Sequence, residues 1–71
     1  MRKIIVIECK NDDVKKSYEE EISREDIATI LVINPHLEED EKVIELQGFY
    51  SDEDIELFRK EMKEREKEYL E

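Results

Sequence analysis

The apolar positions in the first half of the chain form two uninterrupted runs. Residues 4–7 are all β-branched and lie between charged residues, which predicts a strand over about residues 3–10. Residues 27–33 form the second run, which ends at Asn34-Pro35 because proline has no backbone donor for a sheet ladder. Both runs carry apolar side chains at odd and even positions, so both faces of each strand are expected to be covered.

A third strand is predicted over residues 42–50. Its apolar side chains are Val43, Ile44 and Leu46. Gly48, near the end of this segment, indicates a β-bulge or a close approach of another backbone segment. The preceding residues 36–41 are mostly acidic and predict a solvated loop.

The segment between the first two strands, residues 12–22, fits two structures. Its apolar side chains recur at every fourth position: Val14, Tyr18 and Ile22. This spacing places them on one face of a helix, for which Asn11, Asp12 and Asp13 are candidate N-caps. The same three residues also share one parity of a strand, so the segment fits a β-meander as well. Residues 23–26 predict a turn.

The C-terminal segment predicts a helix over about residues 52–70, with Ser51 as its N-cap. At about 100° per residue, its side chains fall into three sectors. The apolar stripe consists of Ile55, Phe58, Met62 and Tyr69. The flanks differ in sign, with Arg59, Lys60, Lys63 and Lys67 on one and Asp54, Glu61, Glu64, Glu68 and Glu71 on the other. Glu56 and Glu66 depart from this segregation. Because the stripe weakens after Met62, the last two turns are expected to extend beyond the core.

The predicted fold is a small single domain of class α+β over residues 1–71. The element order is β-α-β-β-α, with a two-layer arrangement, a three-stranded mixed sheet and a long C-terminal helix. A helix between the first two strands requires these strands to be parallel, joined by a right-handed crossover. The third strand is expected to pair antiparallel with the second, across a loop of about eight residues. A four-stranded antiparallel meander followed by the C-terminal helix is the alternative.

The net charge narrows the classes of partner. Twenty-two acidic residues against twelve basic ones give a net charge of -10 over 71 residues. By count, residues 1–10 carry +2, and residues 11–26, 27–50 and 51–71 carry -4 each, so the acidity is not confined to a tail. A surface of this sign repels nucleic acid and anionic membranes and attracts basic surfaces. We therefore expect neither direct nucleic-acid binding nor membrane binding.

No motif in the sequence predicts catalysis. Cys9 lies at a strand end, but the acids that follow it disfavour a thiolate and repel phosphate. His36 lies near carboxylates that lack the ligand periodicity of a calcium-binding loop. Glu8 and Glu45 are the carboxylates best placed for acid–base chemistry, and solvent-facing strand positions explain both. We expect no enzyme, and no catalytic, cofactor-binding or metal-binding residue.

The leading hypothesis is an acidic protein-binding module that docks on a basic protein surface. The candidate contact residues form the acidic flank of the last helix: Asp54, Glu61, Glu64, Glu68 and Glu71. Carboxylates on adjacent helical turns lie about 5–6 Å apart. A regular row of negative charges at this spacing also fits a nucleic-acid mimic or a small phage-type inhibitor, which is the narrower form of the hypothesis. The alternatives are a structural or accessory subunit that associates through an apolar sheet face and, least favoured, a small enzyme.

Two further expectations concern assembly and location. A chain of this length buries only about 60% of its unfolded surface, so association with another copy would enlarge a small core, and a homo-oligomer is a possible state. The first apolar run spans only four residues, which is too short for a signal-peptide core or a membrane span. A cytoplasmic location is therefore expected.

Overall fold

The computed structural model describes residues 1–21 and 26–71. The elements are β1 (Lys3–Cys9), α1 (Asp12–Glu21), β2 (Ile27–Ile33), β3 (Glu41–Glu45) and α2 (Asp52–Leu70). This confirms the β-α-β-β-α order and the long C-terminal helix, and it shows a helix rather than a strand in α1. Ile22 and most of the turn predicted at 23–26 lie outside the described residues.

The three strands form one mixed sheet in the order β2-β1-β3. β1 pairs parallel with β2, as the intervening helix requires. The predicted pairing of the third strand with the second is wrong, because β3 pairs antiparallel with β1. Residues 34–40 carry the chain past the end of β1, where the Lys10 N–H donates to the Asp40 carbonyl at 2.8 Å. β1, one of the two strands with apolar residues on both faces, thereby takes the central position.

The third strand is shorter than predicted because the chain turns away from the sheet before Gly48. Gly48 has a φ of 94°, in the region that glycine adopts without steric cost. A Cβ at this position would meet nothing within 4 Å, so backbone conformation rather than close approach requires the glycine. The chain returns to the sheet edge at Tyr50, which exchanges backbone hydrogen bonds of 2.8 and 2.9 Å with Arg2.

Both helices begin at side-chain caps that the sequence predicts. The Asn11 Oδ1 accepts a hydrogen bond from the Val14 N–H at 3.0 Å. The Ser51 hydroxyl oxygen accepts from the Asp54 N–H at 3.3 Å. Each cap satisfies a backbone donor that the first helical turn leaves without a partner, which fixes where α1 and α2 start.

The main core lies between α2 and one face of the sheet. Its buried members are Ile4, Val6, Ala28, Ile30, Val32, Ile55 and Met62. Their even positions in β1 and β2 follow from the alternation of side chains along a strand. Ile55, at 1% exposure, is the most deeply buried residue that α2 contributes.

α1 lies against the opposite face of the sheet, to which Ile7 and Cys9 belong. Both side chains are buried, and charges on Lys15 and Glu19 of α1 act on the Cys9 thiol. With ten residues, α1 is too short to cover this whole face. On β3, Val43 pairs with Ile7 of β1 and is 57% exposed.

The last two turns of α2 lie against the sheet, so the expectation that they extend beyond the core is wrong. The Ile33 N–H donates to Glu66 Oε2 at 2.9 Å. The Tyr69 hydroxyl lies close enough to Glu8 for this carboxylate to raise its pKa, and His36 Nε2 lies 2.9 Å from the Tyr69 carbonyl oxygen. Polar contacts thus hold the part of the helix where the apolar stripe weakens.

Replacement of Ile55 by alanine is expected to destabilise the domain by about 2–5 kcal/mol, because it leaves a cavity in the α2 core. Leu57 is the matched control, since it lies on the same helix and is 61% exposed. Leu57→Ala is expected to change the free energy of unfolding by no more than about 0.5 kcal/mol. Urea unfolding followed by circular dichroism measures both, and equal losses would contradict this packing.

Candidate interaction surfaces

The predicted partner-binding carboxylates of α2 all lie on its solvent side. They are Asp54, Glu61, Glu64, Glu68 and Glu71, and each is exposed. Leu57 occupies the same row, between the first two of them. Lys67 Nζ lies 3.4 Å from Glu64 Oε1 and partly offsets that charge. These residues, with Leu57, form what we call the acidic row, and partner contact through it stays a prediction.

A second surface follows the outer edge of β2, which within residues 1–21 and 26–71 has a strand on one side only. The Asn34 N–H donates to the Cys9 carbonyl at 2.7 Å, and the Asp26 carbonyl accepts from the Lys3 N–H at 3.1 Å. Even-numbered residues of β2 therefore face their backbone groups toward β1. Because this direction alternates along a strand, the odd-numbered residues face theirs outward: Ile27, Thr29, Leu31 and Ile33.

A groove of about 420 Å³ runs along this edge, between α1 and α2. Thr29 and Leu31 form part of its floor. Its cationic lining residues are Lys15, Arg59, Lys60 and Lys63, and its carboxylates are Glu19, Glu56 and Glu66. Four positive against three negative side chains give this edge groove a net charge of +1, in a chain whose net charge is -10.

The sequence indicates part of the edge groove but not its position. Arg59, Lys60 and Lys63 belong to the basic flank predicted for α2, and all three line the groove. Lys67, the fourth member of that flank, contacts Glu64 instead. The sequence alone does not show that this basic flank lies beside an unpaired strand edge. The position of that edge depends on which strand takes the centre of the sheet.

Cys9 is a fully buried thiol at the end of β1. Its side chain has 0% exposure, and its Sγ lies 3.8 Å from the Ile7 carbonyl oxygen. Burial raises the pKa of the Cys9 thiol above the usual 9.0, and the charge of Glu41 raises it further. The thiol is therefore protonated at neutral pH and is shielded from reagents.

Glu8 is buried at 7% exposure, which corrects the prediction that it faces solvent. Asn34 Nδ2 donates to Glu8 Oε1 at 3.2 Å. Burial, and then the Glu8 carboxylate beside it, raise the pKa of the Tyr69 hydroxyl. Lys42 and Arg65 line a pocket of about 170 Å³ beside this carboxylate. The cluster connects the central strand to the end of β2 and to α2, as a structural polar contact inside the core.

The other chemically notable residues form no composite site. Glu45 is exposed on β3, as predicted, and His36 is exposed on the loop after β2. Within residues 1–21 and 26–71, no three His, Cys, Asp or Glu side chains are grouped so that they could hold a metal ion. In the same part of the chain, no helix is both long and apolar enough to span a bilayer.

Comparison of the chain with protein-family models, with curated proteins and with solved structures finds no match in any of the three. The acidic row, the edge groove and the partly covered sheet face are therefore the observations from which function is inferred.

The Cys9 thiol is expected to react with a disulfide reagent at pH 8 more than about 100-fold slower in the folded protein than in guanidinium chloride, because reaction requires opening of the core. Because the pKa of the Cys9 thiol is raised in the folded protein, its contribution to the free energy of unfolding depends on pH. This contribution is complete below pH 9.0 and is lost as the pH rises through the pKa of the folded state. Absorbance kinetics measure the rate, with Cys9→Ala as the blank. Equal rates in the two states would contradict the burial.

Proposed function

We propose that this protein is a non-enzymatic protein-binding module whose acidic row docks on a basic surface of another protein. The observation that supports this most directly is the separation of charge on α2. Carboxylates occupy its solvent side, whereas Arg59, Lys60 and Lys63 line the edge groove on the other flank. Lys67 offsets only one of the five carboxylates in the row, so the field along the row stays negative and can steer a basic partner.

Leu57 supplies an apolar contact within the row. Its side chain is exposed and lies between Asp54 and Glu61 along the same helix face. Protein interfaces combine a central apolar anchor with a charged rim that provides rate and specificity. The acidic row offers both elements, which favours a specific interface over charge that serves solubility alone.

Charge density favours a general basic partner over strict nucleic-acid mimicry. Glu61 and Glu71 are ten positions apart, and at 1.5 Å per residue the row from one to the other is about 15 Å long. Its four carboxylates therefore occur about every 5 Å, against one charge per about 3.4 Å along a DNA strand. A nucleic-acid mimic, including a phage-type inhibitor, is the narrower form of the same proposal.

Affinity capture with charge-neutral variants tests the proposal. We expect wild-type protein, immobilised and exposed to extract of its source cells, to retain a basic protein that elutes between roughly 50 and 300 mM salt, since screening weakens charge contacts. The triple variant Glu61→Gln, Glu64→Gln, Glu68→Gln is expected to lose it. The retained protein is then purified, and isothermal titration measures its affinity for each variant.

The matched control removes three exposed carboxylates elsewhere, by Glu20→Gln, Glu38→Gln and Glu39→Gln. It changes the net charge by the same amount and is expected to bind like the wild type. Equal binding by the acidic-row variant and the wild type, or equal weakening in both triple variants, would overturn the proposal, because each result removes the special role of α2.

The uncovered part of the α1 face supports a second candidate, a structural or accessory subunit that docks through this face. Val43 and Phe49 are both exposed, and Ile5 is only half-buried. The Lys3 ammonium lies 5.9 Å from the centre of the Phe49 ring. Apolar docking strengthens rather than weakens in salts that favour burial. Salt-resistant binding that Val43→Lys abolishes, with the acidic-row variant unaffected, would establish this function in place of the first.

A further inference from the structure

We propose that the open edge of β2 binds an extended, acidic segment of a partner protein, which adds to the sheet as a fourth strand. This contact is independent of the acidic row, since it uses the basic flank of α2 and the backbone of β2. It gives the module a second surface of opposite sign.

The edge has backbone groups available for pairing. Thr29 and Leu31 direct their N–H and C=O groups away from β1, and no hydrogen bond joins these N–H groups to another group within residues 1–21 and 26–71. The outward N–H of Ile33 is already used, because Glu66 Oε2 accepts it at 2.9 Å. An incoming strand therefore pairs along Thr29 and Leu31 and stops before Ile33. Strand addition of this kind draws its affinity from main-chain hydrogen bonds.

β2 lacks the usual protection of an edge strand. Sheet edges in soluble proteins carry charged side chains, prolines or bulges that discourage pairing. The seven residues of β2, Ile27–Ile33, include no charge, no proline and no glycine, and they pair with β1 without a break in register. A strand of this composition at an open edge is suited to pairing with another strand.

The charge of the edge groove identifies the occupant as acidic. Lys15, Arg59, Lys60 and Lys63 outnumber the three carboxylates, one of which, Glu66, is committed to the β2 backbone. Charges further away on the acidic surface are screened over about 8 Å at physiological ionic strength. The local excess of positive charge therefore governs a segment that lies within the groove.

A second copy of this chain fits the edge less well. Its own β2 would bring no charged side chain into the groove. Its groove walls would also place a second set of cations, from α1 and α2, beside the first set. An acidic segment instead offsets the cations that α2 contributes, so we assign the edge to a different protein.

The α1 and α2 walls of the edge groove also favour an alternation of residue types along the bound segment. Side chains of an added strand point alternately to the two faces of the sheet. Those on the α2 side meet Arg59, Lys60 and Lys63. These cations outnumber Glu56 and the already bonded Glu66, which favours acidic residues there. Those on the α1 side lie beside Leu31 and between a Lys and a Glu of α1, which favours uncharged, apolar residues. The preferred ligand is an extended segment in which acidic and apolar residues alternate.

Titration with a defined peptide tests the inference. The probe is an eight-residue peptide of alternating Glu and Val, blocked at both ends, and its counterpart has Lys in place of Glu. We expect binding of the acidic peptide only, and about tenfold weaker binding to Lys63→Glu, because a favourable charge contact becomes a repulsive one. Lys16→Glu is the control, since Lys16 is exposed on α1 and does not line the groove.

Amide hydrogen exchange followed by NMR tests the pairing itself. Ile30 and Val32 face their N–H groups toward β1 and are expected to be protected with or without peptide. Thr29 and Leu31 face theirs outward and are expected to gain protection only when the peptide is bound. Thr29→Pro removes an outward donor without removing a bond to β1, and is expected to abolish binding while the circular dichroism spectrum stays unchanged.

Three outcomes would overturn the inference. The first is equal affinity of the wild type and Lys63→Glu for the acidic peptide. The second is a bound peptide that leaves the Thr29 and Leu31 amides exchanging freely. The third is protection of these amides in the protein alone, together with a dimeric mass by sedimentation. That result would show that the β2 edge pairs with a second copy of the chain. The acidic-row variant is expected to keep peptide binding, so failure here is distinguishable from failure of the proposed function.

Discussion

The central position of β1 constrains the rest of the molecule. A strand paired on both sides, with apolar side chains on both faces, requires cover above and below. The described part of the chain has two helices with which to provide it. α2, with nineteen residues, covers one face, whereas α1, with ten, covers only part of the other. The uncovered part of that face is the direct consequence of this shortage of cover, whereas the open edge of β2 follows from its outer position in the sheet.

α2 shows how one helix serves the core and the surface together. Its apolar stripe packs Ile55 and Met62 into the main core. Its basic flank forms a wall of the edge groove, and its acidic row faces solvent. Where the stripe weakens, Glu66 and Tyr69 hold the helix by polar contacts with β2 and with Glu8. The polar contacts allow the charged flanks to continue to the end of the helix without loss of its position on the sheet.

Much of the local structure could be predicted because short-range chemistry determines it. Asn34-Pro35 ends β2, Asn11 and Ser51 start the helices, and the spacing along α2 places Arg59, Lys60 and Lys63 together. Each of these features depends on residues within a few positions of one another. A helix between two apolar strands similarly determined the parallel pairing of β1 and β2.

The features that could not be predicted depend on residues far apart in the chain. β3 satisfies the same local pattern beside either β1 or β2, so its neighbour is decided by the packing of the whole sheet. Glu8 resembles a solvent-facing strand residue until Asn34 and Tyr69 are brought beside it. The outward direction of the Thr29 and Leu31 backbone follows only once β1 is known to lie on the other side of β2.

The hydrogen bond from Ile33 to Glu66 sets a length scale for recognition. The free edge runs from Ile27 to Leu31, and at 3.3 Å per residue this is about 13 Å. A stretch of that length accommodates a short linear motif of about five residues. One carboxylate on α2 therefore limits how far along β2 an added strand could pair.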